Sequence, residues 1–126
     1  MQCCLIVDDA ELVRKVAAQF IERAGFMVVE AEDGEQALKV CATRMPDLIL
    51  LDWQLPVLGA HEFLAKLREI SPAGLPQILY MMTELDIEDL TRAHAAGITD
   101  FILKPFHRET LIAKLDLFSE GRLALP

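Results

Sequence analysis

The chain has 126 residues, of which 53% are hydrophobic and 25% charged, a composition for about one globular domain with its own core rather than a disordered segment. Its formal net charge of −8 argues against a nucleic-acid surface, which would need a basic patch, and no apolar run approaches the roughly 20 residues of a membrane span. The opening MQCCLIVDD has too short an apolar run and too acidic a flank for a signal peptide, and three cysteines without CxxC spacing speak against a disulfide framework or a zinc site.

In chain order, Cys3–Val7 is a short apolar run read as a first strand. Cys3 and Cys4 then point to opposite faces and are read as core filler in a reducing cytoplasm. Glu11 to Ala24 places Leu12, Val13, Val16, Ala17, Phe20, Ile21 and Ala24 on one face and Arg14, Lys15, Gln19, Glu22 and Arg23 opposite. That is helical periodicity, closed by Gly25. Phe26–Ala31 is the second strand and Gly34–Thr43 the second helix; Asp47–Leu51 is the third strand and roughly His61–Ile70 the third helix. Gln77–Met82 and Ile87–Ala96 form the fourth pair, Phe101–Leu103 and Arg108–Phe118 the fifth. Regular alternation implies right-handed crossovers, a parallel sheet and helices on both faces, that is, an α/β fold with a single core.

Ligands in such sheets bind beyond the carboxyl ends of the strands. The first strand ends in Asp8-Asp9, the third in Asp52, the fourth in Thr83 and the fifth in Lys104-Pro105, while Glu30-Ala31-Glu32 ends a strand expected at the sheet edge. The third is the most telling, because Leu48 to Leu51 reads as a strand buried on both faces that runs straight into Asp52 and the lone Trp53. Three carboxylates on one rim raise each other's pKa unless something compensates them. A divalent cation and Lys104 balance the charge, and Mg²⁺ suits, since it takes one or two carboxylates, keeps several waters and recruits phosphate oxygens. A carboxylate so placed can attack phosphorus and form an acyl phosphate, with the protein supplying position and charge neutralisation. Asp52 is then the phosphoacceptor, with the Thr83 hydroxyl and the Lys104 ammonium offered to phosphoryl oxygens.

Other readings stand beside these. Asp8 with Glu11 resembles a capping box, and Asp9 could cap the first helix. Thr83 alone reads as a strand-end residue and Lys104 alone as a solvated lysine. His61, His94 and His107 share no ligand spacing and are read as surface or partly packed histidines, and Met81-Met82 as core.

At these residues the sequence resembles the receiver domain of bacterial two-component response regulators. The resemblance rests on LIVDD (Leu5–Asp9), Arg14, EDGEQAL (Glu32–Leu38), PDLILLDWQLP (Pro46–Pro56), Thr83, AAG (Ala95–Gly97) and ILKPF (Ile102–Phe106), which span nearly the whole chain in family order. Among receivers it looks most like the single-domain chemotaxis type, with DW at the acceptor and TE after the fourth strand. The resemblance implies a (βα)5 doubly wound sheet of order 2-1-3-4-5 and a single receiver domain over residues 1–126 without an output domain. It implies phosphorylation of Asp52 by a histidine kinase or histidine phosphotransfer protein. Asp9, Asp52 and the Gln54 backbone carbonyl become Mg²⁺ ligands, Asp8 holds the ion through water, and Lys104 and Thr83 bind the phosphoryl group. Phe101 becomes an aromatic switch that turns inward when Thr83 moves, and Lys104-Pro105 is expected to be cis.

Three departures from the family pattern stand out. Leu58-Gly59-Ala60 replaces the usual Met-Asp-Gly, Glu84 follows the switch threonine where a small residue is common, and Phe101 stands where many chemotaxis receivers have tyrosine. The expected protein is a cytoplasmic, monomeric receiver that is not an enzyme beyond its own phosphotransfer and dephosphorylation. It would answer to a protein effector through Arg92, Ala95, Phe101, Arg108 and Lys114, with a chemotaxis or motility type of output and no nucleic-acid or membrane partner. The alternatives are a phosphate sink or relay intermediate, a binding module with an inactive site, and an aspartyl-phosphate phosphohydrolase. The last usually carries a second acid two residues after the nucleophile, where Gln54 stands.

Overall fold

The computed structural model describes residues 1–121. Five strands alternate with five helices: β1 Cys3–Val7, α1 Glu11–Arg23, β2 Met27–Ala31, α2 Gly34–Thr43, β3 Leu48–Asp52, α3 Ala60–Ile70, β4 Gln77–Met82, α4 Ile87–Ala96, β5 Asp100–Leu103 and α5 Arg108–Ser119. The strands form one parallel sheet in the order β2-β1-β3-β4-β5. No helix among the described residues is long and apolar enough to cross a membrane.

β1 and β3 are buried along their whole length because helices cover both faces of the sheet. Period-2 alternation divides their side chains. Leu5, Val7, Ile49, Leu51, Ile78, Tyr80 and Met82 meet Ala37, Cys41, Phe63, Leu64, Leu67 and Ala93 of α2, α3 and α4. Cys4, Ile6, Leu48, Leu50, Leu79, Met81 and Ile102 meet Ala17, Ala18, Ile21, Leu111 and Leu115 of α1 and α5. Each fully buried aliphatic side chain contributes roughly 1.5–3 kcal/mol, so the two layers hold the central strands rigidly beneath the site. All three cysteines are free and buried, Cys41 and Cys4 within these layers.

The apolar stripe expected along α1 is narrower in the fold. Ala17, Ala18 and Ile21 are buried, but Leu12 is 76% and Val16 42% exposed. Both lie off the inward face and line a groove with Val13, Thr83, Lys104, Pro105 and Phe106. Neither capping arrangement at Asp8 or Asp9 forms: the N-cap of α1 is Ala10, without a side-chain cap. β3 runs one residue further than its apolar run, because Asp52 still pairs in register with Met81. In the loop after β3, Gly59 keeps an ordinary φ of −67° as the N-cap of α3. The left-handed position falls instead on Val57 at φ 66°, where the Leu58 N–H closes a tight turn onto the Pro56 carbonyl. A β-branched residue there is strained. Gly34 has a packing reason: any Cβ at that position would run into the Leu58 carbonyl.

Candidate functional site

The carboxyl ends of β1 and β3 deliver Asp8 and Asp52 side by side, both nearly inaccessible to solvent, and exposed Asp9 completes the group. Each of the three offers a carboxylate oxygen within 4.8 Å of the others. Asp8 is fixed from four directions. Its N–H donates to the Ala31 carbonyl, extending the β1–β2 ladder (3.1 Å). Its own carbonyl accepts from Arg14 Nη1 (2.8 Å), Oδ1 accepts the Ala10 N–H (2.9 Å) and Oδ2 accepts from Lys104 Nζ (2.8 Å). The same ammonium donates to Asp52 Oδ1 at 3.0 Å, so one cation is shared between two buried carboxylates. The Lys104 N–H donates to the Met82 carbonyl, which ties the lysine's backbone to the end of β4, and the Lys104–Pro105 peptide bond is cis.

This arrangement is electrostatically unbalanced. Burial pushes the Asp52 carboxyl up to about 6, aided by the charges of Asp8 and Asp9, and Lys104 only partly opposes it. Burial alone would lower the Lys104 ammonium; its bonds to Asp8 and Asp52 outweigh that and hold it above the usual lysine range. Two buried carboxylates, one exposed one and a single lysine leave net negative charge on a concave rim. All the side-chain donors in the cluster are hard oxygens. That donor set fits a small divalent cation such as Mg²⁺, which prefers carboxylate oxygen and retained water.

The remaining residues singled out from sequence lie nearby. Thr83 is the first residue after β4, exposed, and shares the groove wall with Lys104. Gln54 and Glu84 are exposed in the loops after β3 and β4. Trp53 is buried beside Asp52, and its indole N–H has no hydrogen-bond partner among the described residues. Phe101 is half-buried on β5, in register with Tyr80 of β4, and packs against the α2–α3–α4 layer. Arg92, Ala95 and Arg108 are exposed. Lys114 is not free: its ammonium donates to Asp100 Oδ2 at 2.9 Å and sits 6.0 Å from the Phe101 ring centroid. His94 and His107 are exposed, but His61 is partly buried against Asp89.

Several participants had no role assigned from the sequence. Arg14, one of the residues that carry the resemblance, donates to the Asp8 carbonyl and pairs with Glu30 at 3.1 Å, where Lys15 joins it. Burial would raise the Glu30 carboxyl, but these two cations hold it below the usual range. The Asp100–Lys114 and His61–Asp89–Tyr80 contacts join residues 14, 28 and 9 apart, and no local pattern in the sequence pairs them.

Known proteins share this fold. The chain is 37% identical over 112 residues to the phosphate regulon transcriptional regulatory protein PhoB of Pseudomonas aeruginosa, covering 88% of this chain and 48% of that one. It is 37% identical over 124 residues to the alkaline phosphatase synthesis transcriptional regulatory protein PhoP of Bacillus subtilis, covering 97% and 50%. The chain thus spans about half the length of these curated relatives. Among solved structures, the chemotaxis protein CheY4 of Vibrio cholerae superimposes with a TM-score of 0.86 at 33% identity, covering 92% of this chain and 97% of that one. A CheY-like receiver domain protein from Methanospirillum hungatei gives 0.87 at 23% identity, covering 97% and 96%, a likeness of fold. The response regulator receiver domain profile matches residues 4–116, and the chain belongs to that family.

Proposed function

We propose that this receiver accepts a phosphoryl group on Asp52 from a phosphohistidine of a kinase or phosphotransfer protein and passes the signal on as a change of surface. One observation carries the reading: a single ammonium, Lys104, bridges two buried carboxylates at the ends of the central strands. In the transfer, an Asp52 oxygen forms the O–P bond as the P–N bond to the donor imidazole breaks, and the leaving imidazole takes up a proton. Water later cleaves the acyl phosphate to carboxylate and inorganic phosphate. Lys104, already at the acceptor, would follow the phosphoryl oxygens, and the Thr83 hydroxyl across the groove would donate to another. Asp9, Asp52 and the Gln54 carbonyl would hold Mg²⁺, with Asp8 bound through water. When bound, the ion supplies charge neutralisation for the oxygens in flight.

Acetyl phosphate with Mg²⁺ should add one phosphoryl group, which hydroxylamine removes, and Asp52→Asn should abolish it. Undiminished incorporation in that variant, seen by intact mass, moves the acceptor elsewhere. Mg²⁺ should also quench Trp53 fluorescence, and Asp9→Ala and Asp52→Ala should remove that quenching. Thr83 and Phe101 form the proposed switch: as Thr83 moves towards the phosphoryl group, the half-buried Phe101 ring fills the vacated space, since a close-packed interior disfavours voids. Two outputs appear in the names of the relatives, transcriptional regulation and chemotaxis. Asp52-Trp53 at the acceptor and Thr83-Glu84 after β4 favour a chemotaxis-type protein partner.

A further inference from the structure

The face of the sheet beneath α3 and α4 contains one buried phenol. Tyr80 is fully buried in β4, and its hydroxyl donates to Asp89 Oδ2 at 2.7 Å. Burial, and then the Asp89 carboxylate it meets, push the phenol well above its ordinary range, so it remains a donor. The other oxygen of Asp89 lies 2.8 Å from His61 Nε2. A carboxylate oxygen accepts, so that nitrogen carries the proton. The His61 ring also stands edge-on to the Tyr80 ring, with centroids 6.4 Å apart. Asp89 belongs to the first turn of α4, where its N–H donates to the N-cap Asp86. One carboxylate therefore fastens α4 to β4 and to α3.

The position of this fastening gives it a consequence. Tyr80 and Phe101 are register partners on adjacent strands, and both pack in the α2–α3–α4 layer. A Phe101 ring that turns inward must enter the seam between β4 and α4, beside the Tyr80–Asp89 bond. Either α4 yields and the bond breaks, leaving a buried hydroxyl without a partner, or the ring stays out.

We infer that Tyr80, Asp89 and His61 are positioning residues that hold α4 in its resting place and set the resistance phosphorylation must overcome. The inference rests on the phosphoacceptor reading above and adds regulation of that site. The network favours the resting packing and not the displaced one, so weakening it shifts the population towards the displaced state before any phosphate arrives. By linkage, the same shift must tighten binding of a phosphoryl mimic at the rim.

The test uses the full chain, Mg²⁺ and beryllofluoride as the mimic, with titration calorimetry and amide resonances of residues 87–96. Tyr80→Phe keeps the ring and removes the hydroxyl; His61→Asn removes the outer bond without touching β4. Loss of a bond to a charged acceptor predicts about tenfold tighter beryllofluoride binding in Tyr80→Phe and a smaller gain in His61→Asn. The α4 resonances of both mimic-free variants should move towards those of the mimic-bound wild type. A merely structural role would lower the melting temperature but give unchanged or weaker binding and unmoved α4 resonances, and that result overturns the inference. Wild type that fails to bind beryllofluoride would overturn the phosphoacceptor reading, and this one with it.

Discussion

At the β1–β3 rim, Asp8 and Asp52 are locked in place by backbone ladders and share one cation, whereas at the β4–α4 seam a single carboxylate, Asp89, joins three elements through side chains alone. The rim stands on strands buried on both faces, the rigid support that the proposed phosphoryl transfer would need. The seam lies nearer the sheet edge, beside the half-buried Phe101, and only Ala93 of α4 is fully buried. An element with few buried apolar contacts opens at low cost. Charge is thus concentrated on the strands buried on both faces, and α4 is fastened by a few side-chain bonds.

The sharpest way to separate the two regions is to unbalance the rim alone. Lys104→Met leaves Asp8 and Asp52 as buried like charges with no shared donor. Removal of a preorganised group at a reacting centre typically costs on the order of 10² to 10³ in rate. Acetyl phosphate incorporation should fall by that much while α4 amide resonances stay in place; movement of α4 in this variant would break the division. Thr83→Ala is the converse. It should still take up phosphate on Asp52 but lose about 10- to 150-fold of the phosphorylation-dependent gain in partner affinity, the worth of a charge-assisted bond of about 1.5–3 kcal/mol. Equal gain in both proteins would mean the signal leaves by another route.

The rim's strain should also appear in stability without metal. Asp52 titrates near 6 in the folded chain against about 3.9 unfolded. Between these values the folded state keeps a proton that the unfolded chain has lost. The contribution of Asp52 to stability is therefore fully present below about pH 4 and is lost as pH rises through 6, by up to roughly 3 kcal/mol. Urea titrations of wild type and Asp52→Asn over this window should diverge accordingly, and saturating Mg²⁺ should flatten the wild-type curve. Equal slopes would show that Asp52 is not held out of balance. Smaller effects test the loop that borders the rim. Gly34→Ala should cost about 1–3 kcal/mol, because the Leu58 carbonyl stands in the way. Val57→Asn should add up to about 1 kcal/mol by relieving the positive φ. Denaturant midpoints of both variants measure this directly.

Much of the molecule could be read from residue order alone. Alternating periodicity placed all ten elements within about a residue of their ends, and β1, α2, β4 and α4 at the same bounds. The reason is that apolar spacing in each element answers to one requirement, burial against the sheet. The acids, Thr83 and Lys104 were legible too, because strand ends in a parallel sheet share one rim whatever the details of packing. Misreadings arose where the outcome depends on neighbours distant in sequence. Leu12 and Val16 have the spacing of core residues, yet they lie off the face that α1 buries and end in the groove wall. Asp8 and Asp9 have the local sequence of caps, yet Ala10 is the N-cap of α1, and one Asp8 oxygen accepts from Lys104, 96 residues on.

Residue order thus determined which groups reach the rim, since strand polarity and alternation are local properties of the chain. Only the tertiary structure decided how those groups share charge and what holds α4 above them. A hydrogen bond or a desolvated carboxylate depends on distances between elements, and those distances are settled by how the two side-chain layers pack on the sheet.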